Sequence, residues 1–143
     1  MFIRITGLVG LLVLLPATAG AGDMPHAEYL KARSLSPVLF MDIYNEHGAD
    51  MRRAELLGAC GFDAEAETTR QRVAAANKEM LKRTLPERAR EAGITHAGTM
   101  LAHSDTMSLA TGYGLGYGEA VKMFLRDSPG REAQCAALKD GAR

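Results

Sequence analysis

The chain has 143 residues, with 17 Lys and Arg against 17 Asp and Glu, so it carries no net formal charge at neutral pH. That balance argues against a nucleic-acid binder, which needs a basic surface to displace phosphate counterions, and against electrostatic attachment to a membrane. The length suits one domain with a sizeable core.

At the start, Arg4 precedes an apolar run from Gly7 to Leu15, then Pro16 and small residues from Ala17 to Gly22. This is the plan of a secretory signal, and the run is shorter than the roughly 20 residues a bilayer-spanning helix requires. Cleavage fits the small-x-small rule after Ala19 or after Ala21, and the second is preferred. The reading is therefore a signal peptide over 1–21 and one helical domain over 22–143, exported to the periplasm or the extracellular space. No permanent membrane anchor is expected after cleavage. Losing Arg4 with the signal leaves the exported part slightly acidic.

A short helix is expected from His26 to Arg33. Ser36-Pro37 then reads as the cap and first residue of a longer one, because Ser caps well and Pro at the first position gives up an N–H that would be unpaired anyway. Phe40, Tyr44, His47, Met51, Ala54 and Leu57 follow at three- and four-residue steps to about Cys60, and Gly61 ends the helix. Asp42, Glu46 and Asp50 make an acidic row on another face, read as solvated surface.

Asp63 is expected to cap the next helix, whose acidic start and basic end suit the helix dipole. Val73, Ala76, Met80 and Leu81 supply its buried side. Thr84-Leu85-Pro86-Glu87 predicts a kink or restart, and Gly93 a C-cap.

From Ile94 to Val121 the only carboxylates are Asp105 and Glu119, with no Arg or Lys. Met100, His103, Met107, Ala110, Gly114, Gly118, Val121 and Leu125 form one stripe. Leu109, Tyr113, Tyr117, Ala120 and Phe124 form a second, so the pattern predicts a helix packed on two sides. Gly112, Gly114, Gly116 and Gly118 cost such a helix roughly 1 kcal/mol each relative to Ala. They are read as a place of close helix packing or a hinge, with a break as the alternative. Ser128-Pro129-Gly130 ends this helix, and Arg131 to Lys139 form a short last one. The fold class is all-α, a compact bundle of about four to five helices.

The two cysteines, Cys60 and Cys135, are expected to form one disulfide that ties the last helix to the end of the Pro37 helix. Their spacing matches neither C-x-x-C nor C-x-x-C-H.

Catalytic motifs are not found. His103-Ser104-Asp105 has the residue types of a hydrolase triad, but consecutive helical residues point about 100° apart. The glycine run fails the G-x-G-x-x-G spacing, because Tyr117 stands where the third glycine should be. A non-enzymatic, protein-binding accessory, inhibitor, immunity or chaperone-like factor without cofactor is the favoured reading. The alternative is a copper- or haem-handling protein. His96, Met100, His103 and Met107 share one helix face, and His47 with Met51 repeats the spacing, a pairing of imidazole with thioether that suits Cu(I). Packing is the blander explanation, since Met at helical spacing usually fills core.

Overall fold

The computed structural model describes residues 24–126 and 128–140. The expected signal peptide and its cleavage sites lie outside them. Four helices follow in order: α1 (His26–Ala59), α2 (Asp63–Glu91), α3 (His96–Arg126) and α4 (Arg131–Asp140). The all-α expectation holds, and no described helix is long and apolar enough to cross a membrane. α1 is the central element. It packs along both α2 and α3, which scarcely touch each other, and α4 meets α1 near its end.

Sharp glycine turns separate the long helices. Gly61 has φ +80° and Gly93 φ +63°, values that L side chains rarely adopt. At the first turn the N–H of Phe62 bonds Leu57 O and that of Gly61 bonds Gly58 O. At the second, Ile94 bonds Ala89 O and Gly93 bonds Arg90 O. Both are Schellman motifs, in which the glycine lets the chain turn back to satisfy carbonyls the helix leaves open.

Two expected helix starts are corrected. Pro37 lies inside α1, which begins at His26. Proline removes the bond to the carbonyl of Arg33, but burial outweighs the loss. Ser36 is buried between α1 and α3, its hydroxyl within bonding distance of Ala32 O (3.2 Å) and Ala102 O (3.4 Å). The Thr106 hydroxyl in turn reaches Ala102 O (2.6 Å) and Ser36 O (3.4 Å). Asp63 is the first residue of α2 and not its cap. Phe62 holds the cap position and no side chain bonds there. Nor does Pro86 restart α2, because the buried stripe continues through Leu81, Leu85 and Ala89. The start of α3 is capped from another helix: the carboxylate of Glu28 on α1 accepts the N–H of Thr95, and the Thr95 side chain first and its backbone second hold the Glu28 pKa below the usual carboxylate range.

The acidic row on α1 is also corrected from solvated surface to interface. Asp42 pairs with Arg88 (2.7 Å), Glu46 with Arg83 (3.6 Å), Asp50 with Arg72 (3.2 Å) and Glu55 with Arg70 (2.9 Å). Numbers rise on one helix as they fall on the other, so the ladder fixes the antiparallel register of α1 and α2. Each exposed pair contributes little to stability, about 0–1 kcal/mol, and a wrong register would set them all against the wrong partners.

The core comprises Leu39, Ile43 and Met51 from α1, Val73, Met80, Leu81 and Leu85 from α2, and Ala102 and Ala110 from α3. α3 buries Gly98, Ala102, Thr106, Ala110, Gly118, Val121 and Leu125. This coincides with the expected stripe from Ala110 onward but not before it. Small side chains at 98, 102 and 106 let α3 lie close on α1, and the bulkier Met100, His103 and Met107 are turned to its flanks. The second stripe is not buried either. Leu109 and Phe124 are exposed, and Tyr113 and Tyr117 are half-buried, so α3 packs on one side only.

Cys60 and Cys135 are bridged, with Cα atoms 5.6 Å apart. α4 buries no residue, so the bridge is its principal tie to the bundle.

Candidate functional site

Because α2 and α3 diverge over α1, a cleft of about 260 Å³ opens between them. Its floor is Met51 and Ala54 of α1. One wall is Val73, Ala74 and Asn77 of α2, and the other is Met107, Ala110, Thr111, Gly114 and Leu115 of α3. The lining is mostly apolar, as ligand sites are, with few polar groups among the walls.

At the mouth stands the Glu55–Arg70 pair. Arg70 donates from Nε to Glu55 Oε1 (2.9 Å) and from Nη2 to Oε2 (3.0 Å), the bidentate fork that is strongest between these groups. The contact holds the guanidinium pKa above its ordinary value against the opposing effect of burial. Glu55 reaches this position across the glycine run of α3. A Cβ at Gly114 would lie 3.6 Å from Glu55 Oε1, and one at Gly118 would lie 2.8 Å from Oε2. Gly112 and Gly116 point to open space. α3 runs unbroken through all four, so the break considered for this segment does not occur.

Asn77 is the polar residue of the α2 wall. It is 3% exposed, and its Oδ1 has no hydrogen-bond partner among the described residues.

On the opposite side of α3, Tyr113 meets Tyr44 edge-on (5.3 Å between centroids), stacks on Tyr117 (6.0 Å) and touches Phe40 (6.0 Å). Arg52 lies over the Tyr44 ring and donates to its hydroxyl at 2.6 Å. Burial first, then the bond with Tyr44, push the Tyr113 hydroxyl above its ordinary pKa, with Arg52 opposing. These groups satisfy one another and close that flank.

The expected His/Met face is not assembled as one set. His96 and Met100 are exposed, Met100 at 62%, on the first turns of α3. His103 is half-buried and shares a shallow depression with Met107. Met51 and Met107 line the cleft together, whereas His47 stands beside Glu46 (3.6 Å). Among the described residues no group of three or more His, Cys, Asp or Glu side chains is placed to hold a metal ion. His103, Ser104 and Asp105 do not converge: Ser104 is exposed, and Asp105 pairs with Arg33 at 3.3 Å.

The outer face of α3 is the other conspicuous surface. Leu109, Gly112, Gly116, Ala120 and Met123 follow at three- and four-residue steps along it, flanked by Leu115 and Phe124. Leu115 is 67%, Met123 68% and Phe124 69% exposed. No charged residue occurs from Thr106 to Gly118. Comparison with protein-family models, with curated proteins and with solved structures finds no match.

Proposed function

We propose that this is an exported, non-enzymatic protein whose work is to bind another protein through the outer face of α3. The observation that carries the reading is the exposure of Leu109, Leu115, Met123 and Phe124 on a helix that carries no charge from Thr106 to Gly118 and then only the mutually paired Glu119 and Lys122 before Met123. Single exposed apolar residues are ordinary, but several spread over the half of a helix surface that faces away from the core make a broad apolar patch of the kind that marks an interaction surface. Gly112 and Gly116 add to it. Among the described residues nothing lies within 4 Å of a Cβ at either position, which leaves room for a partner to approach closely there. Export is supported by the disulfide and by the short apolar run with its small-residue exit at the start of the chain.

The test is native size in the cell of origin. The mature protein should migrate in a complex larger than itself, and Leu115→Ser with Phe124→Ser should release it as a folded free chain. A protein that runs alone in both forms, or a complex indifferent to the substitutions, would refute the reading.

A further inference from the structure

We infer that the cleft between α2 and α3 is a binding site for a small, neutral, largely apolar molecule bearing one hydroxyl, and that Asn77 recognises the hydroxyl. Among the described residues, four buried side-chain polar atoms have no hydrogen-bond partner. Asp42 Oδ2 and Asp105 Oδ2 have no hydrogen bond of good geometry, but each faces an arginine, Arg88 and Arg33, and His47 Nε2 stands by Glu46. Asn77 Oδ1 has no hydrogen bond, and as a neutral amide it forms no ion pair that could stand in for one. An amide oxygen left so inside a protein costs the full desolvation of the group, about 1–3 kcal/mol. On the buried side of α2, between Val73 and Leu81, a leucine would avoid that cost. Asn77 also lines the cleft, and the terminal bond of its side chain is a soft rotor that can turn Oδ1 toward an occupant.

The rest of the cleft sets the ligand's class. Val73, Ala110, Met51 and Met107 offer an apolar enclosure, and the two thioethers adapt to irregular shapes and favour aromatic rings. At about 260 Å³ the space lies just below the roughly 300–1,000 Å³ of sites for drug-sized molecules, which suits a single substituted ring or a short chain better than a folded peptide segment. Charge is excluded by the partners. The Arg70–Glu55 pair at the mouth is already charge-matched, so an ion elsewhere in the cleft would exchange water for the Asn77 amide, the Thr111 hydroxyl and apolar walls. Because Oδ1 accepts, the ligand must donate, and the simplest neutral donor on an apolar body is the hydroxyl of an alcohol or a phenol.

The experiment titrates the mature protein with 4-ethylphenol, ethylbenzene and 4-ethylanisole. Affinity is followed by calorimetry and location by NMR shifts of the Val73 and Ala110 amides. The phenol should bind saturably, about tenfold more tightly than the hydrocarbon, the yield of one buried neutral hydrogen bond. The ether, which cannot donate, should resemble the hydrocarbon. Asn77→Leu should bind phenol and hydrocarbon within about twofold of each other. Absence of saturable binding, equal affinity of phenol and hydrocarbon, shifts confined to residues outside the cleft, or a phenol preference that survives Asn77→Leu would each overturn the assignment. Should the variant not fold, the ether decides on the wild type alone, because an ether that binds as tightly as the phenol rules out a donated bond. The outcome is independent of whether a protein docks on the outer face of α3.

Discussion

Glu55 lies across Gly118, with its Oε2 2.8 Å from where a Cβ at that position would stand, and two bonds from Arg70 keep it there. The glycine is thus what lets α1, α2 and α3 meet at one ion pair. Gly118→Ala should forgo most of the roughly 0.5–1 kcal/mol that helix propensity alone would give, because the Glu55 carboxylate must shift and loosen its fork with Arg70 to clear the new methyl. In a Glu55→Ala background the same substitution should show the full gain. Thermal melts in both backgrounds check this.

Gly112 and Gly116 have no such neighbour. Alanine at either should stabilise the isolated protein by about 0.5–1 kcal/mol through helix propensity alone, raising the melting temperature by a few degrees. If the outer face binds a protein, the same substitutions should weaken that complex, since the added methyl occupies the approach. A variant that is more stable and equally well bound would leave the two glycines unexplained.

Reduction of Cys60–Cys135 should act in two ways. By chain entropy, the bridge across a separation of 75 residues contributes about 4 kcal/mol, so the melting temperature should fall by several degrees or more. Because α4 buries nothing, its amides should lose hydrogen-exchange protection first, while those of α1 to α3 keep theirs below the melting point. Equal loss of protection in all four helices would contradict this picture of α4.

Glu28 gives a pH dependence of definite sign. Its folded pKa is depressed by the bond from Thr95, so its contribution is present above the ordinary glutamate pKa and is lost as the pH falls through the lower, folded value. Stability measured from pH 6 down to pH 3 should therefore decline less steeply in Glu28→Gln than in wild type, from a lower starting point. Tyr113 works at the other end. Its raised pKa means that stability is lost as the pH climbs past the ordinary tyrosine value, and Tyr113→Phe should flatten that alkaline decline.

Much of the fold was legible in the sequence because it is written locally. Gly61 and Gly93 mark turns by their conformational freedom, Val73, Met80 and Leu81 mark a buried side by their period, and two cysteines in one small domain mark a bridge. What could not be read depends on which helices meet. Pro37 and Pro86 are breakers by local preference and lie inside helices by tertiary packing. Met100 and His103 share a period with buried residues, yet the close crossing at Ser36 and Thr106 turns α3 so that smaller side chains face α1. The acidic row of α1 became an interface only once α2 lay beside it. Glu55, Arg70 and Asn77 carry no motif at all. The one signal available was Asn77 itself, a polar residue one turn after Val73 and one before Met80 and Leu81 on a mostly apolar side of the helix that also buries Thr69.

Photo-crosslinking in the cell of origin shows whether another protein binds the outer face of α3. A photoreactive phenylalanine analogue placed at Leu115 or Phe124 should give one discrete crosslinked product of the same size from both positions. The same analogue at the exposed Glu65 of α2 should give none. No product from either α3 position, or equal products from all three, would contradict the claim.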